Sequence, residues 1–150
     1  MKGKESPESL GIEHAEFHDE LHRAAAIGGK TGEAAREVLR VLRPHILLEE
    51  EFAIPPLTLL PEIARGEVRP EMARMISKSE MLQEEMGRML DEHKLIVAAL
   101  RKLMQAATEE KLQGYARFAQ KLILHAQMEE EILYPAAVVV GLYLKTQIEK

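Results

Sequence analysis

Residues 45–55 read HILLEEEFAIP, and residues 125–135 read HAQMEEEILYP. Each stretch places a histidine, a run of three glutamates starting four residues later, and a proline ten residues on, and the two stretches lie 80 residues apart. Upstream, Glu13-His14 and Glu92-His93 match at an offset of 79, with Leu21 and Leu100 each seven residues beyond its histidine. The chain therefore reads as an internal pseudo-repeat of a helix pair.

On a helix, positions i and i+4 share one face about 5–6 Å apart, so a histidine nitrogen and a glutamate oxygen at that spacing can converge on one ion. His45 with Glu49 and His125 with Glu129 are two such pairs. A single His-x3-Glu is usually an exposed, hydrogen-bonded duo, but its repetition together with matched upstream histidines points to a metal site. Two carboxylates held between two cations can bridge them and offset charge that is costly to bury alone.

The rest of the sequence supplies helices to carry these residues. Apolar residues make up 46% and charged residues 30%, against only 4% aromatics, a balance suited to amphipathic helices. The 150-residue length fits one domain with its own core. Gly28-Gly29, Pro55-Pro56, and Gly66 with Pro70 divide the chain into periodic segments. Helix A is expected over about 8–27 and helix B over about 32–53. Helix C is expected from Pro70 to about Ala107, and helix D from an N-cap at Thr108, with Glu109 and Glu110 in its first turn, to Tyr134-Pro135. Residues 53–80 read as an inserted short helix and turn, and 136–147 as a terminal helix. Methionines 72, 75, 81, 86 and 89 read as adaptable core filler, and Pro44 is expected to bend helix B.

Several function classes are excluded or disfavoured. Without cysteine the chain has no disulfide, thiolate metal site or cysteine nucleophile, so any metal must sit on histidines and carboxylates. A net charge of −5 with interspersed signs provides no basic stripe for nucleic acid. Residues 132–144 are apolar but too short to span a bilayer and are interrupted by Pro135 and Gly141. The polar start MKGKESPESLG lacks the apolar core of a secretory signal, giving a cytoplasmic expectation. Ferritin-like di-iron bundles use Glu-x-x-His, and no histidine here has a glutamate three residues before it; an HExxH signature is also missing.

The His-x3-Glu-Glu motifs at 45 and 125, preceded by His14 and His93 on the other two helices, resemble the hemerythrin-like, or HHE cation-binding, family over about residues 10–135. The resemblance implies an all-α, up-down-up-down four-helix bundle around a non-haem, carboxylate-bridged di-iron centre. It makes His14, His45, His93 and His125 terminal ligands and Glu49 and Glu129 bridges, with Glu130 as an alternative bridge. His18, four residues after His14, joins the candidate ligands. Oxygen-carrying hemerythrins have their H-x3-H pair on the third helix, whereas here Val97 follows His93 and the pair lies on the first. The expected partition puts His14, His18 and His45 on one iron, and His93 and His125 on the other, which keeps the open position. The implied ligand is O2 or another small diatomic or peroxide, bound or sensed. Reduction of peroxide, NO or O2 is an enzymatic alternative, and iron storage or a structural site another. Zinc or manganese also suit these nitrogen and oxygen donors. Tyr134 can reach the core, although packing near Pro135 is the favoured reading.

Overall fold

The computed structural model describes residues 6–149; the first five residues of the polar amino-terminal stretch and Lys150 lie outside the described residues. Those described residues form helices and turns, with no strand among them. Helix α1 spans Glu8–Ala26 and α2 spans Gly29–Leu48. A short α3, Leu60–Ala64, lies within the connection to α4, Arg74–Glu109, which is followed by α5, Gln113–Met128, and α6, Tyr134–Ile148. At 36 residues, α4 is about 54 Å long and packs against α2, α5 and α6.

Two apolar clusters sit on either side of a polar layer. One gathers Phe17, Leu21, Val38, Leu39, Ile96, Leu100, Leu103 and Leu122. The other gathers Phe52, Leu57, Leu82, Met89, Tyr134 and Ala137, with Leu10 against it. Completely buried side chains such as Leu100 and Leu103 each stabilise the fold by about 1.5–3 kcal/mol. Along α1 the chain meets Leu10, then His14, then Phe17; along α4 it meets Met89, then His93, then Ile96. In α2 and α5 the order of the clusters is reversed, with His45 and His125 again between them. All four histidines therefore occupy one level.

Both long motif helices end in the same way. Glu49–Ala53 and Glu129–Leu133 are five-residue π turns. The Ile54 N–H donates to Glu49 O at 2.8 Å, and the Tyr134 N–H donates to Glu129 O. Pro55 and Pro135, next in the chain, have no N–H to donate and crowd the carbonyl four residues back. Widening the preceding turn by one residue accommodates each ring.

Two boundary expectations are corrected. Thr108 does not cap the last bundle helix; it lies inside α4 and donates Oγ1–H to Met104 O at 2.8 Å, and the chain reverses at Lys111, whose φ is 62°. Glu110 serves α2 rather than α5. Its carboxylate accepts from the Lys30 and Thr31 N–H groups at 3.1 and 2.9 Å and from Thr31 Oγ1 at 2.6 Å, which holds its pKa below the usual range. Gly29 at φ 60° leaves room for that carboxylate, since a Cβ there would lie 2.7 Å from Glu110 Oε2.

The inserted segment and α6 form a third cluster from Leu59, Met72, Met75, Ile76, Val140 and Leu144. Met81 departs from the core-filler expectation and is exposed. Helix α6 lies against α4 where Gly141 meets Ser79, whose hydroxyl donates to Ala137 O at 2.7 Å. A Cβ on Gly141 would stand 2.2 Å from Ser79 Cβ, so Gly141→Ala must push the two helices apart. We expect it to lower stability in urea denaturation by about 1–3 kcal/mol; an unchanged midpoint would show that the contact is slack.

Candidate metal centre

The polar layer holds six inward-facing donors. His45 Nε2 lies 3.3 Å from Glu49 Oε2, and His93 Nε2 lies 3.2 Å from Glu129 Oε1. His125 Nε2 is 3.2 Å from Glu129 Oε2, with His14 Nε2 at 3.5 Å from the same oxygen. Ligand atoms of His45, Glu49, His93 and Glu129 fall within 4.8 Å of one another, as do those of His14, His125 and Glu129. Each oxygen of Glu129 thus faces a different donor group.

Opposite ring nitrogens are held by a second set of carboxylates. His45 Nδ1 meets Glu92 Oε1, His93 Nδ1 meets Glu130 Oε2 and His125 Nδ1 meets Glu13 Oε1, each at 2.8 Å. An Nδ1–H donated to a carboxylate fixes the tautomer that leaves an Nε2 lone pair pointing inward, the arrangement typical of metal-binding histidines. In the Glu13-His14 and Glu92-His93 pairs, the histidine enters one donor group while its neighbouring glutamate orients the other histidine of that same group.

The donor set fits a metal by chemistry as well as position. His14 and His125 present Nε2 atoms 3.2 Å apart. With metal–nitrogen bonds of about 2.1 Å, that separation subtends an angle of about 100°, between octahedral and tetrahedral values. Glu49 is 1% exposed, and among the described residues its Oε1 has no hydrogen-bond partner. A buried, unpaired carboxylate oxygen is costly, and a cation satisfies it. Burial and the nearby Glu129 push the Glu49 carboxyl above its ordinary pKa. Burial pushes Glu129 the same way, but hydrogen bonds from His125, His14 and His93 outweigh it and hold that carboxyl well below.

Of the two readings of Tyr134, reach into the core and packing near Pro135, the structure shows the first, with the hydroxyl within the larger group. It donates to Glu49 Oε2 and lies 3.0 Å from both His45 Nε2 and His93 Nε2. Burial, followed by the charges of Glu49 and Glu129, raises its pKa far above the phenol range, so it holds its proton. Its counterpart in the repeat is Ile54. Glu130, weighed from the sequence as a bridge, points instead at His93 Nδ1.

The partition of histidines differs from the expected one: His45 pairs with His93, and His14 with His125. The cause is which helices adjoin at this level. The rings of His45 on α2 and His93 on α4 have centroids 4.6 Å apart, and those of His14 on α1 and His125 on α5 are 5.2 Å apart. His18 enters neither donor group. One turn beyond His14 the inward positions are filled by Phe17 and Leu21, and His18 is turned to the surface beside His22.

No family model, curated protein or solved structure matches this chain. Among the described residues, no helix is long and apolar enough to cross a membrane.

A cavity of about 410 Å³ reaches all six donors. Its walls are largely apolar, including Phe17, Leu39, Leu42, Ile46, Ile96 and Leu122, and its exposed margin carries His18, Asp19, Arg43 and Glu50.

Two expectations follow. Glu92→Ala leaves His45 free to rotate and to change tautomer, and should weaken metal binding about ten- to hundred-fold in chelator competition. Unchanged affinity would deny Glu92 that role. The second concerns pH. For His14, His45 and His93, burial, the largest effect, lowers the pKa, but Glu129, Glu49 and the orienting glutamates outweigh it, leaving each raised. Their contribution to the metal-free fold is complete below about pH 6.5 and fades as pH rises through the folded values. Glu129, being lowered, contributes above about pH 4.5 and loses that contribution on acidification. A cation must displace the histidine protons. The rise in Tm on adding metal should therefore grow from about pH 6 to about pH 8; a rise independent of pH would contradict this.

Proposed function

We propose that this chain is a non-haem two-metal protein, with iron as the resident metal, which binds or senses O2 or a related small oxidant. The observation that carries the reading is the convergence of four histidine Nε2 atoms and two buried carboxylates, with three of the rings held from behind by glutamates. The alternating order in which α1, α2, α4 and α5 meet the two apolar clusters supports an up-down-up-down bundle of the hemerythrin-like kind. A pair of iron ions would supply reversible electron transfer to a small bound oxidant.

The protein's own residues define the conditions for that chemistry. Glu129, with one oxygen toward each group, would be shared between them, and Glu49 faces it from α2 with an oxygen that is unpaired among the described residues. His45 and His93 would hold one ion, His14 and His125 the other. Apolar walls keep bulk water from surrounding the centre while leaving a route for a small neutral molecule. The Tyr134 hydroxyl holds a proton against Glu49 Oε2, beside the Nε2 atoms of His45 and His93.

The test is to express the protein with iron, determine metal per chain, and record ultraviolet-visible spectra anaerobically and after adding O2. Close to two irons per chain, with absorption bands that appear on oxygenation, is the expected result. Iron indifferent to O2 would reduce the reading to a structural or storage site, and failure to retain iron would remove it.

A further inference from the structure

We propose that His18 and His22 form a surface capture site for a divalent transition-metal ion and deliver that ion to the inner donors through the cavity beside α1. The delivery role rests on the two-metal reading above; the capture site does not.

His18 and His22 are four residues apart on α1 and therefore share a face. Both are exposed, and their Nε2 atoms stand 3.2 Å apart, with ring centroids separated by 4.4 Å. With metal–nitrogen bonds of about 2.1 Å, that separation again gives a bite angle of about 100°, suitable for two sites of a tetrahedral or octahedral ion. Imidazole pairs favour first-row divalent metals over Mg2+ or Ca2+, which prefer oxygen ligands. Water would fill the remaining positions, leaving a site that releases its ion readily.

Position supports delivery. His14, His18 and His22 form a ladder along α1, with successive steps of about 6 Å. Its outer member is exposed and its inner member belongs to the smaller donor group. His18 lines the same cavity as all six inner donors, so the inner end of the ladder and the inner site border one continuous space. Asp19 and Glu50 on that cavity's exposed margin favour cations, opposed there by Arg43. Of the inner histidines His14 is the most exposed, at 15% of its side chain, against 1% for His45 and 2% for His93.

The test compares the metal-free protein with His18→Ala/His22→Ala, whose exposed changes leave the core intact. Titration with Cu2+, read by electron paramagnetic resonance for nitrogen coupling, should show the wild type taking one more ion per chain. Equal stoichiometry would overturn the capture site. Stopped-flow loading with limiting Co2+, followed by its visible bands, should be about tenfold slower in the variant, with the same final spectrum. Equal loading rates would overturn delivery even if the extra Cu2+ is seen. If Co2+ reaches the inner donors of neither chain, the two-metal reading and the delivery role both fall, and the Cu2+ difference alone decides whether the capture site exists.

Discussion

Two carboxylates, Glu49 and Glu129, face each other in the middle of the core, and much of the site's architecture answers to that placement. Neither can be stripped of water without compensation, and their mutual repulsion makes the pair harder to bury than either alone. Four imidazoles surround them. Without a cation, shared protons on His14, His45 and His93 supply part of the balancing charge, which is why burial fails to lower those pKa values. With a cation, the same Nε2 atoms become ligands. One geometry therefore serves both states, and the apolar clusters above and below hold it in place.

The site is assembled by repetition at the level of the backbone. Each motif helix delivers a histidine, then a glutamate one turn later, and then widens into a π turn before its proline. The widening accommodates the proline ring and changes which later residue faces inward. Counted at about 100° per residue, Tyr134 would sit roughly 140° around the helix from Glu129. A π turn fits the same residues into little more than one revolution and brings the phenol back toward Glu49. The local irregularity thus brings a hydroxyl into the donor layer.

This explains what could be read from the sequence and what could not. His45, Glu49, His125 and Glu129 were legible because their i, i+4 relation lies within single helices. The Glu13-His14 and Glu92-His93 pairs were visible as a repeat, but the orienting role of their glutamates was hidden. Glu13 acts on α5 and Glu92 on α2, across a register that no single-helix period encodes. The partition of histidines failed for the same reason, since it depends on which helices adjoin. His18 was misplaced because helical spacing puts it near His14 but cannot reveal that Phe17 and Leu21 already fill the inward positions. Thr108 looked like a cap because threonine favours that role, yet here its hydroxyl satisfies a carbonyl within an unbroken α4.

The repeat is also broken, and the breaks all act on the same side. Glu130 holds His93, whereas its counterpart Glu50 is exposed on the cavity margin, and among the described residues no carboxylate holds His14 from behind in the same way. Tyr134 closes over His45 and His93, while its counterpart Ile54 brings no hydroxyl to His14 and His125. One donor group is consequently tight, nearly inaccessible and hydrogen-bonded from several directions. The other is partly exposed and less constrained. His14 is 15% exposed against 1% for His45, so the accessible edge of the polar layer is on the His14–His125 side. The buried proton of Tyr134 lies on the other. A fully symmetric repeat would make the two donor groups alike; these substitutions instead leave one group buried beneath the Tyr134 hydroxyl and the other partly exposed at His14.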